Sequence, residues 1–315
     1  MTPGCETLRG AAFVAVFRGQ VGVLDLFAQK DPNLLTFSAK RKGEWLKTAI
    51  EKNNQEVASW LVGKGFCFAQ GDIDNYMALK LVLLEDASFL QRLSHASTSS
   101  TVSLIRFDTL DVDRVDHEGG NVWHCAAAVV KNAADLERMF TKLPTSSSFT
   151  KIHLQQSLIK KNLVDRFSPF HIAAAAGNVA FLQIISRKFR ELALPNNQWL
   201  DDADNDNALT PLYSAVLANQ VESVRELLRL GASTTMRAHF DITPLHAAAS
   251  DGNLNIAKEL TAYDPSLLRT TDKMGRRPID VVMHEIIVRE EEGKPIGQYR
   301  ALYDCLAEEM KVASR

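Results

Sequence analysis

The sequence predicts an all-α solenoid, a stack of antiparallel helix pairs joined by short hairpin loops, and two observations carry that reading. A four-residue signature returns as Thr210-Pro211-Leu212-Tyr213, Thr243-Pro244-Leu245-His246 and Arg277-Pro278-Ile279-Asp280, its last residues 33 and 34 positions apart. A period of that size is one supersecondary unit, which buries its apolar face only against a neighbouring copy. The signature is also followed by Leu245, Ala248 and Gly252, at offsets of three and seven. Those positions share a helix face, and the glycine then permits a tight reversal into a second helix.

Taken from the N-terminus, Ala12, Ala15 and Gly19 hold the same spacing, followed by Val23-Leu24 and Phe27, with Asp31-Pro32 as the stop. Leu46, Ala49 and Asn53 repeat it, and Val57, Trp60-Leu61 and Gly65 read as the second helix with its terminal glycine. The apolar stretch from Tyr76 to Leu93 is helical in period and reads as a third degenerate unit, before a Ser/Thr-rich segment at Ser94 to Ser103. Asp116, Gly119, Trp123-His124 and Ala126-Ala127 then restate the pattern without proline. Ser168-Pro169-Phe170-His171 restores it, with Ala173 to Gly177 giving small residues where helices approach closely. In each signature the Ser or Thr is placed to cap a helix, and proline suits a first turn that needs no N–H partner.

The spacing also shows two insertions. His171 lies 47 residues after His124, and Tyr213 lies 42 after His171. The first insertion, near 144–162, contains Pro144-Thr145-Ser146-Ser147-Ser148 and then helix-like spacing from Ile152 to Leu163; the second, near 195–206, contains Pro195-Asn196-Asn197 and an acidic run from Asp201 to Asp206. The organisation read from this is 1–110 as degenerate helical repeats, 111–285 as regular repeats with insertions, and 286–315 as a capping helix and acidic tail.

These residues resemble the ankyrin repeat family, whose consensus runs Asp-x-x-Gly-x-Thr-Pro-Leu-His-x-Ala-Ala and closes on Leu-Leu-x-x-Gly-Ala. Leu227-Leu228-Arg229-Leu230-Gly231-Ala232 matches the ending and Asp272-Lys273-Met274-Gly275 the opening. The resemblance covers 116–285, and 8–95 in degenerate form. It implies that His124, His171 and His246 bond the backbone of neighbouring loops. It also implies a concave binding face built from hairpin tips and first helices. Arg289-Glu290-Glu291-Glu292 with Glu308-Glu309 further looks like the tail of bacterial type IV secretion effectors, many of which carry irregular ankyrin repeats. A polar cap on the end of a stack accounts for the same residues.

Composition bounds the remaining options. Hydrophobic residues make up 46% of the 315, enough for a continuous interior, and no apolar run reaches membrane-spanning length. Four cysteines, Cys5, Cys67, Cys125 and Cys305, form no disulfide framework, so reduced thiols and a cytoplasmic setting are expected, in the chain's own cell or, after secretion, in a host. A net charge of −2 and a basic cluster only three residues long, Lys40-Arg41-Lys42, predict no nucleic-acid partner. His117, His124 and Cys125 lack zinc spacing, and the run from Asp202 to Asn207 lacks the glycine and the bidentate glutamate of a calcium loop. No metal, no cofactor and no catalytic residue is assigned.

Function is therefore expected from a surface. Arg166, Phe167, Leu209, His239, Phe240, Met274 and Arg276 lie just before the signatures. Aromatic, Met and Arg side chains are enriched at interface centres, which makes these seven a candidate strip for a protein or peptide partner. Packing against the adjacent loop is the alternative for Leu209 and Ile242, and for Phe167 and Phe240. The expected protein is a monomeric, non-enzymatic interaction module. An enzyme with a catalytic part within 1–110, where Cys67 and His95 lie, and a self-associating scaffold are the two alternatives.

Overall fold

A computed structural model describes residues 3–31, 35–52, 54–68, 77, 79–81, 111–116, 118–144, 150–193, 197–204 and 207–312. The elements of the described residues are helices, and an isolated β-bridge joins Ala238 and Ile242. The chain divides into two compact units, Met1–Asp116 with Arg138–Thr145, and His117–Glu137 with Ser146–Arg315. No described helix is long and apolar enough to cross a membrane.

In the first unit, α1 (Pro3–Arg18) pairs with α2 (Val21–Lys30) and α3 (Ala39–Glu51) with α4 (Gln55–Gly63). The residues picked out by spacing are the ones that pack: Ala12, Ala15, Leu24, Leu46, Ala49, Val57 and Leu61 are all buried. Asn54, in the turn between α3 and α4, donates through Nδ2 to the Val16 and Phe17 carbonyls at 3.0 and 3.1 Å. Those carbonyls lie in the last turn of α1, where helical donors run out and the Val16 oxygen otherwise receives only the Gly19 N–H at 3.3 Å. Trp45 packs on Phe37 and Phe66, with ring centroids 4.8 and 6.0 Å away. Of the expected third unit, only Met77 and residues 79–81 are described, with Met77, Leu79 and Leu81 buried. The Ser94 to Ser103 segment and His95 lie outside the described residues.

The second unit begins with α5 (Val122–Val129) and the start of α6 (Ala133–Thr141), whose residues from Arg138 on fall in the first unit, then α7 (Lys151–Ile159). The pairs α8 (Pro169–Ala175) with α9 (Val179–Glu191), α10 (Pro211–Leu217) with α11 (Val221–Leu230), and α12 (Pro244–Asp251) with α13 (Leu254–Tyr263) follow. The last pair is α14 (Pro278–Glu291) with α15 (Gly297–Val312), so residues 286–291 continue a first helix rather than begin the terminal one. First helices pack in a row α5, α8, α10, α12, α14, and second helices in a row α9, α11, α13, α15. The signature anchors Phe170, Leu212 and Leu245 are fully buried, as are Ala173, Ala215 and Ala248 one turn later. Burial of each large anchor contributes about 2–3 kcal/mol.

Gly252 ends α12 at φ +71°, and a Cβ there would come within 2.8 Å of Gln298 and 2.9 Å of the Tyr299 ring. The glycine is thus needed both for its backbone angle and for the approach of α15. Tyr299, Leu302 and Leu306 bury α15 against the stack.

The first insertion differs from its expected pattern: Leu154, Ser157 and Leu158 of α7 are buried, whereas Ile152, Ile159 and Leu163 are exposed. The second insertion is held firmly. Trp199, on a short 3-10 helix (Asn197–Leu200), stacks on Phe170 at 4.1 Å. Asp202 pairs with Lys161 at 3.0 Å, and Asp201 accepts from the Ser233 N–H at 2.8 Å.

Asn178 repeats in this unit what Asn54 does in the other. Its Nδ2 donates to the carbonyls of Ala126, Ala127 and Val130, and its Oδ1 caps α9 through the Phe181 N–H. Asn178→Ala leaves buried carbonyls without a donor and removes a cap, so it should lower unfolding stability by about 3 kcal/mol. Urea denaturation followed by circular dichroism measures this; a loss under about 1 kcal/mol would show that solvent replaces the amide.

Candidate functional site

The loops ahead of the first helices share one skeleton. At the start of each helix a cap residue donates its backbone N–H to the ring of the residue three positions on: Asn121 to His124 Nδ1, Ser168 to His171 Nδ1, and Thr243 to His246 Nδ1, at 3.0, 3.2 and 3.3 Å. That contact makes Nδ1 an acceptor and leaves Nε2 as the donor. Nε2 then reaches the following loop. His124 bonds the Phe167 carbonyl at 3.1 Å, His171 the Leu209 carbonyl at 2.9 Å and His246 the Arg276 carbonyl at 2.9 Å. Tyr213 does the same with its hydroxyl, which donates to the Ile242 carbonyl.

Each of those carbonyls has a second donor within its own loop. The N–H groups of Asn162, Asp204, Ala238 and Asp272 donate to Phe167, Leu209, Ile242 and Arg276 respectively, all at 2.8 to 2.9 Å. The Asn162, Asp204 and Asp272 side chains return the contact by accepting the N–H of Phe167, Leu209 and Arg276 at 2.9 Å. Burial works against the Asp272 carboxylate, but these N–H groups and the Arg276 guanidinium hold it below the usual carboxylate range. The loops also join one another: Leu163 N–H donates to Glu118, His239 to Asn207 and Lys273 to Phe240.

The acidic run is absorbed by this framework. Asp204 Oδ1 accepts from Asn207 and Leu209, while Asp201 and Asp202 hold the insertion as described. Among the described residues no cluster of three or more His, Cys, Asp or Glu is placed to hold a metal ion, and His117, Asn205 and Asp206 lie outside them.

The skeleton imposes a left-handed backbone two residues before each cap. Gly119 and Gly275 fill that position at φ +76°, but Arg166 (58°), Ala208 (56°) and Asp241 (57°) fill it elsewhere. Phe240 adds a second left-handed residue to its loop, at φ 63°. A residue with a Cβ is strained there by roughly 1–2 kcal/mol.

This frame sorts the seven strip residues. Phe167 is half-buried with its ring stacked on His171 at 5.2 Å, and Arg166 is partly exposed beside it. Leu209, His239, Phe240 and Arg276 come together on one groove of about 450 Å³, with Tyr213, Leu217, Ile242 and Asp251 also lining it. Phe240 is 58% exposed, its ring edge-on to His239 at 4.3 Å, and Met274 is 75% exposed on the next loop tip. Arg276 is tied to Asp272 at 2.8 Å. Leu217 and Asp251 are groove residues that the signature spacing passes over. Both sit about one turn beyond the signature's last residue, on the side of the first helix that faces the loops.

Comparison with known proteins finds that the ankyrin repeat family model matches residues 240–271. The ANK repeat-containing protein nipk-1 of Caenorhabditis elegans is 27% identical over 166 residues, which cover 50% of this chain and 27% of that protein. Ankyrin repeat and SOCS box protein 11 of Homo sapiens is 33% identical over 132 residues, covering 41% of this chain and 38% of that protein. The chain thus spans well under two thirds of the length of these relatives. The crystal structure of the human ASB11 ankyrin repeat domain aligns at 19% identity with a TM-score of 0.44, covering 95% of this chain and 96% of that one.

Burial lowers the pKa of His171 and His246 below the ordinary 6.5, so both are neutral in the folded chain. Below pH 6.5 the unfolded chain binds more protons than the folded one, and stability falls with pH until the folded values are reached. Replacing both with Asn should flatten that part of a stability-versus-pH curve measured by urea denaturation from pH 8 to 5; an unchanged slope would assign it to other groups. Ala208→Gly should raise stability by about 1 kcal/mol by relieving the left-handed backbone. A fall in unfolding midpoint would mean that the alanine side chain packs usefully.

Proposed function

We propose, from the premise that this chain is an ankyrin-repeat protein, that it is a non-enzymatic module binding a protein partner on the face shared by its hairpin tips and first helices. The observation that carries the proposal is Phe240. It is a large aromatic ring more than half exposed, at a position where its backbone is held in the left-handed region. Strain of this kind persists only where the surroundings over-determine it, and it clusters at sites that do work on a ligand. Exposed aromatic and Met side chains are efficient interface anchors, because they bring large contact area with few rotatable bonds.

Within the candidate strip, Phe240, His239 and Met274 form the contact centre, with Leu209 and Arg276 at its edge. Phe167 is a supporting residue, its carbonyl and ring both engaged with the skeleton. Protein partners fit the interaction role implied by the ankyrin fold, and the identity of this one is set by the surface rather than by the fold. The proposed protein is a monomer, and a reducing, cytoplasmic setting is proposed on the strength of the thiols of Cys67 and Cys305. Delivery into a host cell, read from the acidic tail, is the outermost part of the proposal. Charge reversal at Glu308 and Glu309, both outside the buried face of α15, tests it in a translocation reporter without removing the helix.

Phe240→Gly separates the two roles open to the ring. Glycine adopts the left-handed backbone freely, so the variant should keep or gain up to about 1 kcal/mol of stability while partner capture falls at least about tenfold. Capture from cytosol beside urea denaturation gives both quantities. Unchanged capture would remove Phe240 from the interface, and a stability loss above about 1.5 kcal/mol would make it a packing residue.

A further inference from the structure

The groove beside Phe240 has two chemically different ends. Beside its loop end stands the exposed Lys273, its Nζ 6.0 Å from the Phe240 ring centre. Its middle is apolar, formed by Leu209, Tyr213, Leu217 and Ile242. Its helix end carries the Asp251 carboxylate. Asp251 is solvent-exposed on the groove wall; partial burial, and then the field of Glu285, push its carboxyl above the ordinary range, and among the described residues no cation acts against them. Arg289, one helical turn from Glu285, is spent on Glu285 at 3.8 Å and on the face of Tyr299 at 4.3 Å. Gln298 and Tyr299 reach the Asp251 and Ser250 backbone carbonyls, not the carboxylate.

A carboxylate on the wall of an apolar groove, in the field of a second carboxylate, is complementary in charge to a cationic guest. A groove of about 450 Å³ holds a few side chains rather than a helix pair. We propose that it takes an extended peptide segment of the partner, in which an apolar side chain packs against Phe240 and Leu217 and a neighbouring lysine or arginine pairs with Asp251. This rests on the reading of the strip as a protein-binding surface and names what that surface selects.

Display of a random peptide library against the full chain tests it, with Phe240→Gly, Asp251→Asn and Asp251→Lys run in parallel and each verified as folded by circular dichroism. The expected result is a family of peptides sharing an apolar and a basic position. A synthetic consensus peptide should lose about tenfold in affinity with Asp251→Asn and weaken as salt rises. Selection on Asp251→Lys should replace the basic position with an acidic one. Peptides that depend on Phe240 but show no basic position would overturn the inference and leave the binding-surface reading standing. Peptides indifferent to Phe240→Gly would overturn both. Failure to enrich any peptide would overturn the inference, as would a concentration-dependent dimer abolished by Phe240→Gly, which would assign the groove to a second copy.

Discussion

The constraint on which the second unit depends is the carbonyl just ahead of each helix cap. A hairpin loop held between helix pairs exposes backbone oxygens to a nearly dry interior, and an oxygen left there without a donor costs about 1–3 kcal/mol. Phe167, Leu209, Ile242 and Arg276 supply those oxygens, and each receives one donor from its own loop and one from the pair before it. The same imidazole that accepts from a cap at Nδ1 gives a hydrogen bond at Nε2, so helix start and repeat stacking are secured by one ring. Tyr213 keeps only the forward half of this arrangement, and burial raises its phenol further, which keeps the hydroxyl protonated as a donor. At the end of the series Asp280 occupies the ring position and turns back to Arg277 at 3.0 Å.

Opposite the loops, Asn54 and Asn178 perform the complementary task at the helix turns, where carbonyls at the C-terminal ends of first helices lack helical donors. With both edges of a layer fixed by hydrogen bonds, apolar side chains fill the space between. The small residues at 173, 215 and 248 are what allow the layers to come close enough for both sets of bonds to form. Rigidity at the edges also explains how Arg166, Ala208, Phe240 and Asp241 stay in backbone conformations that their own side chains resist.

Much of this was legible in the residues. The signature fixed where helices begin, the offsets of three and seven found Ala12, Leu46 and Ala49 in the least regular part of the chain, and the family resemblance implied the bond from the recurring histidines to the next loop. The groove was half legible. Leu209, His239, Phe240 and Arg276 precede signatures and were visible as unusual, but Leu217 and Asp251 carry no mark of their own, since their significance comes from the helix turn that aims them at a loop far away in sequence. Backbone angles were not legible at Arg166, Ala208 and Asp241, because the cue for a left-handed residue is glycine and these positions lack it. Nor did composition disclose that Trp199, in a segment read as an insertion, is the plate laid over Phe170.

The second insertion carries a wider implication. Because stacking requires only that one carbonyl ahead of each cap meet the preceding ring, the chain between one helix pair and the next cap has no prescribed length. Extra residues there need only return to the same oxygen. The insertion ending at Asp204 does this: it departs after α9, lays down Trp199, and comes back in time for Leu209 to receive His171. Distance along the chain and distance across the stack are thereby uncoupled. A scaffold of this kind acquires new surface by lengthening a connection while its interior spacing stays as it was.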